Sequence, residues 1–150
     1  MAAAEPERPP LPPFEAEEDA LRKVKIAEQA WNTRDPVKVS LGYTPDSEWH
    51  VNGVTFAGRE AIVKFLTDKW NGELDYRLEK TLWCFKGNRI AVVYRYEHHD
   101  ASGQWFRAHG NEDWEFAPNG QMQRRITQIN KVPIEEKDRM FKWDRETHYA

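Results

Sequence analysis

Four segments in which apolar and polar residues alternate dominate the second half of the chain. They are Tyr76–Phe85, Arg89–Asp100, Gln104–Phe116 and Gln121–Lys131. This two-residue period is typical of a β-strand with one buried face. Only short turns that contain glycine separate the segments, so consecutive strands can pair as hairpins. The pattern therefore predicts a long antiparallel meander.

The first half of the chain has a helical period instead. Glu15–Thr33 carries one apolar stripe at helical spacing, and Arg59–Trp70 carries another. Asp35 followed by Pro36 is typical of a helix cap and a first helical position, and it predicts a short helix that runs to about Leu41.

The segment between these helices predicts a turn and a short extended element. Thr44-Pro45-Asp46-Ser47 has turn chemistry, and Glu48–Phe56 predicts a short strand or a hairpin interrupted at Asn52-Gly53. Helices thus precede the meander instead of alternating with its strands. We therefore predict an α+β fold in which N-terminal helices pack on one face of an antiparallel-rich sheet.

The last two turns also predict which residues lie opposite each other. The turns at 100–104 and 117–121 each fit a three-residue loop with a left-handed glycine. When the residues are counted back along the strands from each loop, oppositely charged residues lie beside each other, as is common for cross-strand neighbours. The resulting pairs are Glu97 with Arg107 and Asp113 with Arg125.

This register gives the meander one mainly apolar face and one polar face, and we predict that the apolar face is buried. A slip of one strand by one residue would mix the two sets. The predicted buried face contains Ile90, Val92, Tyr94, Tyr96 and His98; Phe106, Ala108, Gly110, Glu112, Trp114 and Phe116; and Met122, Arg124, Ile126, Gln128 and Asn130. The first long strand stays open: a two-residue loop at Gly87-Asn88 would bury Trp83 and Phe85, and a longer loop would bury Leu82 and Cys84.

Several polar side chains lie on the face that is predicted to be buried. A buried polar group without a partner costs about 1–3 kcal/mol, so a solid core has little use for so many of them. A pocket lined by aromatic residues with a few converging polar groups would use them. The polar set therefore predicts a cavity. Its members are Glu112, Arg124, Gln128, Asn130, His98 and the two tyrosines.

Composition narrows the class of protein. The net charge of −3 and the lack of a basic stripe argue against a nucleic-acid partner, and no apolar run is long enough to predict a membrane span. The lone Cys84 excludes an intramolecular disulfide, and the N-terminus lacks the apolar core of a signal peptide, so we expect a cytoplasmic location. The length of 150 residues suits one domain. We predict it at 15–150, after a flexible proline-rich tail at 1–14.

No pattern in the chain predicts a metal or a cofactor. His98 and His99 are neighbours on a strand and point to opposite faces, so they cannot share one ion. Glu97 shares a face with His99, but no third ligand follows at a recognisable spacing. We therefore expect neither a metal site nor a cofactor.

Seven short stretches resemble the SnoaL-like group of the nuclear transport factor 2-like superfamily and, more narrowly, an uncharacterised family of that group. They are Trp31–Asp35, Gly58–Ile62, Gly87–Val92, Gly103–Arg107, Gly110–Glu112, Trp114–Phe116 and Ile129-Asn130. The stretch from Gly103 to Phe116 is the most specific part, and the similarity covers about 22–143. One departure is His98, where an aromatic residue such as Trp is expected.

The resemblance implies a cone in which a curved sheet wraps around helices, with a pocket at its open end and often a homodimer. It implies no single reaction, because this fold hosts isomerases, dehydratases, cyclases and non-catalytic binders.

Glu112 and Arg124 are the candidate catalytic residues. Burial should raise the pKa of Glu112 and make it the general acid or base of a cofactor-free isomerase, cyclase or dehydratase, assisted by Arg124 or a tyrosine. In the alternative, the two residues form a buried ion pair without a catalytic role.

The candidate ligand-binding residues are Trp31, Tyr94, Tyr96, His98, Trp114, Gln128 and Asn130, and the expected ligand is a small hydrophobic or amphipathic molecule. A non-catalytic ligand-binding protein and a protein-interaction module that uses the outer sheet face also remain open.

Overall fold

The computed structural model describes residues 8–150 and confirms the α+β class. Its elements in chain order are α1 (Glu17–Trp31), α2 (Pro36–Ser40), β1 (Tyr43–Val51), β2 (Val54–Ala57), α3 (Arg59–Gly72), β3 (Leu74–Lys86), β4 (Arg89–His99), β5 (Trp105–Phe116), β6 (Met122–Ile134), a 3-10 turn (Glu136–Asp138) and α4 (Arg145–His148). The helices predicted in the first half and the four-stranded meander are both present. Asp35 caps α2 as predicted, since its side chain accepts a hydrogen bond from Lys38 N at 3.1 Å.

The six strands form one sheet in the order β2-β1-β6-β5-β4-β3. The meander is antiparallel, and β1 joins it as the parallel neighbour of β6. The turn predicted at 44–47 is wrong, because this segment is part of β1. The pairing of β1 with β6 shifts between Tyr43 and Glu48, and a proline is tolerated at such an irregularity.

The helices cover one face of the sheet, which we call the inner face. Helix α1 contacts β3, and α3 contacts β1 and β2. The predicted apolar stripe of α1 points inward, and Ala20, Val24 and Trp31 are buried. Aromatic rings fill much of the interior: the Trp31 and Trp49 rings stack at 5.9 Å. The inner face therefore walls the core, as the alternation predicts.

A β-bulge in β6 reverses part of the predicted register. The loop at 117–121 forms as expected, with Ala117 N donating to Gln121 O at 2.8 Å. Phe116 then pairs with Met122 but Glu115 pairs with Arg124, so that Gln123 is an extra residue. An extra residue turns every later side chain to the other face. Arg125, Thr127 and Ile129 therefore point inward, and Arg124, Ile126, Gln128 and Asn130 point outward.

A second bulge lies in β3 at Trp83. The two-residue loop at Gly87-Asn88 is confirmed, because Lys86 pairs with Arg89. Leu82 pairs with Val92 and Cys84 with Ala91, which leaves Trp83 unpaired and its side chain exposed. Leu82 and Phe85 are the side chains of this stretch that point inward. One of them comes from each of the two alternatives, which had paired Trp83 with Phe85 and Leu82 with Cys84. The predicted pairing of Glu97 with Arg107 between β4 and β5 is confirmed.

Both ends of the described chain are tied to the sheet. Phe14 is buried, its ring meets Phe116 edge-on at 5.2 Å, and its backbone N donates to Gly87 O at 2.8 Å. The predicted tail therefore ends before Phe14, while residues 1–7 of that tail lie outside the described residues. Near the other end, buried Glu97 accepts hydrogen bonds from Met140 N and Phe141 N at 2.9 and 2.8 Å. A carboxylate on the outer face is thus covered by the C-terminal segment.

Gly110 on β5 supplies a test of this packing. The Tyr94 ring lies over Gly110, and a Cβ atom there would overlap it. We expect Gly110→Ala to lower the free energy of unfolding by about 1–3 kcal/mol, the usual cost of overpacking. At Gly72 an added Cβ would meet no atom within 4 Å, so Gly72→Ala should leave stability unchanged or raise it by about 0.5–1 kcal/mol. Urea denaturation of the two variants measures both effects, and equal changes would contradict the packing.

Candidate active site

Glu112 of β5 lies at the centre of a buried ion cluster on the inner face. Its Oε1 pairs with Lys80 Nζ of β3. Its Oε2 accepts hydrogen bonds from Arg125 Nε of β6 at 2.6 Å and from Trp114 Nε1 at 3.0 Å. Both side-chain oxygens are thus engaged, and three strands of the sheet contribute to one cluster.

Aromatic rings enclose the two cations. Lys80 Nζ lies 5.1 Å from the Trp31 ring centre and 4.8 Å from that of Tyr94. The Arg125 guanidinium lies 4.9 Å from the Trp31 ring and 4.4 Å from the Trp49 ring. A cation over the face of an aromatic ring is attracted by the ring quadrupole. The rings therefore replace part of the hydration that the two cations lose on burial.

The cluster reverses the expected pKa shift of Glu112. Burial raises the pKa of this carboxyl, but the charges of Lys80 and Arg125 and their hydrogen bonds outweigh it and lower the pKa to about 2. The prediction of a raised pKa is wrong because the sequence did not place two cations beside the carboxylate. Burial lowers the pKa of Lys80. For Arg125 burial acts in the same direction, but the charge of Glu112 outweighs it and raises the pKa. Glu112 is therefore ionised at neutral pH.

A small cavity, which we call the chamber, lies beside the cations. Its volume is about 20 Å³, which is room for roughly one water molecule. Three cations line it, and none of the described side chains in its wall is a carboxylate. Its wall consists of Trp31, Phe65, Lys69, Tyr76, Leu78, Lys80, Tyr94, Tyr96, Arg125 and Ile129. Within residues 8–150, the buried Nη1 of Arg125 finds no hydrogen-bond acceptor.

An open groove of about 450 Å³ adjoins the chamber. Four residues line both spaces: Phe65, Lys69, Tyr96 and Ile129. Lys69 Nζ donates to both carboxylate oxygens of Glu73, at 2.9 and 3.0 Å, and lies 4.1 Å from the Tyr96 ring centre. Burial lowers the pKa of Lys69 to about 8, although Glu73 acts in the opposite direction. Lys69 therefore lines both the groove and the chamber, whereas Lys80 and Arg125 line the chamber only.

Five of the predicted ligand-binding residues lie on the inner side: Trp31, Tyr94, Tyr96, His98 and Trp114 are buried. Trp31, Tyr94 and Tyr96 line the chamber, and Trp114 holds Glu112. The Tyr94 hydroxyl forms a hydrogen bond of 2.6 Å with Thr127 Oγ1. His98 lies apart from the chamber and stacks on Phe106 at 5.4 Å, and burial lowers its pKa to about 4. Both of its ring nitrogens lack a hydrogen-bond partner among the described residues.

The predicted inward position of Arg124, Gln128 and Asn130 is wrong. Because of the bulge at Gln123, Arg124 points outward and lies 3.8 Å from Glu48. Gln128 and Asn130 line a groove on the outer face instead of the chamber. The arginine that pairs with Glu112 is therefore Arg125 and not Arg124, the residue predicted.

Sequence reasoning missed Lys69, Lys80 and Arg125 as residues of the site. A signal for Lys80 was present, because it lies in phase with Tyr76 and Leu78, which are both buried. A lysine at the third inward position of a strand is a candidate for a buried, paired cation. No comparable signal marked Arg125, since its inward position depends on the bulge.

Two further properties of the described chain bear on the class of site. No group of three or more His, Cys, Asp or Glu side chains in residues 8–150 is arranged to hold a metal ion. None of the helices in this range combines the length and the apolar character that a membrane crossing requires.

The shifted pKa of Glu112 predicts how stability depends on pH. A carboxyl whose pKa is lower in the folded state stabilises the fold above its unfolded pKa, and this contribution is lost as the pH falls through the folded value. For Glu112 the window runs from the ordinary pKa of 4.5 down to about 2, a contribution on the order of 3 kcal/mol. Glu112→Gln should cost about 3–5 kcal/mol at pH 7, because it leaves two buried cations unpaired, and the deficit should shrink towards pH 2.

Urea denaturation from pH 7 to pH 2 measures this change. Glu79→Gln is the control, since Glu79 forms an exposed pair with Arg95 at 3.0 Å, and its effect should not exceed about 1 kcal/mol. An unchanged pH slope in Glu112→Gln would contradict the assignment.

Comparison with known proteins agrees with this architecture. The family described as "Protein of unknown function (DUF1348)" matches residues 12–149. No curated protein matches the chain at a significant level. Among solved structures, SalBIII, described as an epoxide hydrolase/cyclase-like enzyme in pyran ring formation, is 14% identical with a TM-score of 0.69, and the match covers 79% of this chain and 98% of SalBIII.

Two further solved structures have the same fold. An NTF2-like protein of unknown function from Burkholderia pseudomallei is 19% identical with a TM-score of 0.65, and the match covers 74% of this chain and 90% of that one. A putative polyketide cyclase from Xanthomonas campestris is 22% identical with a TM-score of 0.63, over 74% of this chain and 90% of its own. The chain therefore belongs to the DUF1348 family of proteins of unknown function and has the nuclear transport factor 2-like fold.

Proposed function

We propose that the protein binds a compact small molecule with a carbonyl, enolate or carboxylate oxygen, and that it acts on this molecule as a cofactor-free enzyme of the isomerase, cyclase or dehydratase class. The oxygen would occupy the chamber, which has room for roughly one water-sized group. The rest of the molecule would occupy the adjoining groove. One observation carries the proposal: cations line the chamber, and Glu112, their counterion, does not.

The electrostatics of the chamber favour an oxygen that carries negative charge. Lys80 and Arg125 contribute two positive charges, against which Glu112 supplies one negative charge. The Nη1 of Arg125 is buried and has no acceptor within residues 8–150, and leaving such a donor unpaired costs about 1–3 kcal/mol. A ligand oxygen at this position would remove that cost. Within this proposal, Arg125 and Lys80 are the groups that contact the substrate.

Charge that develops on the bound oxygen would be stabilised by the same two donors. Enolisation, ring closure and loss of water next to a carbonyl all build negative charge on an oxygen, and donors that are already in place lower the barrier to such steps. Lys80 is a proton donor in contact with the chamber, and burial lowers its pKa, which brings it closer to the range useful in acid–base catalysis. We assign Glu112 the role of positioning Lys80 and Arg125. Direct proton transfer by Glu112 remains a prediction.

The similar structures are consistent with this class of chemistry. SalBIII is described as an epoxide hydrolase/cyclase-like enzyme, and the Xanthomonas campestris protein as a putative polyketide cyclase. Both descriptions concern ring-forming reactions of oxygen-rich molecules, although identities of 14% and 22% show a shared fold only. We further propose a homodimer and a cytoplasmic location.

Acetoacetate, a compact keto acid, is a suitable probe for the chamber. We expect isothermal titration calorimetry to detect binding to the wild type, and Lys80→Met to weaken it by about tenfold or more, equivalent to about 1.4 kcal/mol. Lys80→Met leaves Glu112 paired with Arg125 and Trp114, so the variant should fold. Glu112→Gln should bind acetoacetate at least as tightly as the wild type, because the excess of positive charge increases. Lys142→Gln, an exposed substitution near the C-terminus, is the control.

Other outcomes would contradict the proposal. One is equal binding of acetoacetate and its neutral methyl ester, because the excess of positive charge beside the chamber should favour the anion. Another is loss of binding in folded Glu112→Gln together with normal binding in Lys80→Met, which would assign substrate contact to the carboxylate. A wild type that binds neither compound at millimolar concentration would exclude compact keto acids as ligands.

A further inference from the structure

A second cavity, separate from the chamber, lies at the corner between α1, α2 and the start of β6. Its volume is about 310 Å³, and we call it the corner pocket. Its walls are mainly apolar and include Ile26, Ala30, Val39, Leu41, Phe116 and Met122. This volume is at the lower end of the range of about 300–1,000 Å³ that is typical of small-molecule sites.

Two tryptophans separate the corner pocket from the chamber. Trp31 and Trp114 both line the corner pocket. Towards the chamber, Trp31 lies 5.1 Å from Lys80 Nζ, and Trp114 Nε1 donates to Glu112 at 3.0 Å. The two indoles thus have the ion cluster on one side and the apolar cavity on the other. A ligand in the corner pocket would not contact Glu112, Lys80 or Arg125.

The rim of the corner pocket exposes large apolar side chains. Leu41 is 59% exposed and Ile26 is 38% exposed. Single exposed leucines are common, but exposed apolar residues at the mouth of an apolar cavity are typical of a binding site. The rim would lose this contact with water when a ligand with an apolar body fills the pocket.

Two lysines give the corner pocket a positive charge. Lys23 and Lys38 belong to its lining. Lys23 Nζ donates to Gly120 O at 2.9 Å and lies 4.7 Å from the Phe116 ring centre, both of which are uncharged partners. Neither lysine forms an ion pair with a carboxylate in the described part of the chain, whereas exposed Lys64 pairs with Asp68 at 2.9 Å. Both lysines are therefore free of a direct carboxylate partner among residues 8–150 and are available to an anionic ligand.

We propose that the corner pocket binds a small amphipathic anion, a carboxylate with a short apolar chain or ring. The carboxylate would pair with Lys23 and Lys38, and the apolar part would pack among Ile26, Ala30, Val39 and Met122. The size of the pocket limits the ligand to a short chain. This proposal does not depend on the function proposed for the chamber, because the two spaces share only Trp31 in their linings and have different cations.

Octanoate is the probe, and octanamide is its neutral counterpart. Isothermal titration calorimetry should detect one octanoate site in the wild type, and octanamide should bind about tenfold more weakly or worse. Leu41→Asp places a carboxylate at the rim and should weaken octanoate binding by about tenfold or more. Val54→Asp is the matched control, since Val54 is 65% exposed in β2 and does not belong to this lining, and it should bind octanoate like the wild type.

Two further variants identify the cations and the cavity. Lys23→Gln combined with Lys38→Gln should weaken octanoate binding but not octanamide binding. Lys80→Met, which removes a chamber cation, should leave octanoate binding unchanged. The proposal is overturned if the wild type does not bind octanoate, if octanamide binds equally well, or if Leu41→Asp and Val54→Asp behave alike. Loss of octanoate binding in Lys80→Met alone would place the ligand in the chamber and would also overturn it.

Discussion

The burial of two cations beside one carboxylate is the constraint on which the interior depends. Removing a charged group from water costs several kcal/mol, and this cost is recovered only when the partner is well placed and the remaining donors are satisfied. Lys80, Glu112 and Arg125 come from three different strands, so the cluster forms only in one register of β3, β5 and β6. The ion pairs therefore help to fix the alignment of the strands in addition to contributing to stability.

The same arrangement decides what the chamber can accept. Glu112 lies behind the two cations and uses both oxygens to hold them, while the cations and aromatic rings face the open space. A negative charge in the chamber meets donors that are already oriented, and a positive charge meets repulsion. The cluster contains both signs of charge, but only its cations face the chamber. The chamber should therefore prefer negatively charged ligand groups.

The fold was largely predictable from the sequence, and the site only in part. Alternation along β4 and β5 is unambiguous, so Tyr94, Tyr96, Glu112 and Trp114 were placed correctly on the inner face. In 122–130 both alternating sets contain isoleucine and polar residues, and hydrophobicity could not choose between them. A bulge in such a stretch cannot be recognised from the residue types. The cationic partner of Glu112 was therefore predicted one position too early, at Arg124 instead of Arg125. Lys80 was within reach of the same reasoning, because it continues the buried phase of β3.

The extra residue at Gln123 leaves a spare position between the last hairpin loop and Arg125. Shortening this stretch by one residue would remove the bulge and leave a regular ladder, in which Arg124 still pairs with Glu115 and Arg125 still lies opposite Trp114 on the inner face. Flattening the bulge without shortening the chain would instead exchange the two faces of the rest of β6 and would carry the guanidinium into solvent. Homologous chains can therefore lose one residue here and keep the cation that faces Glu112.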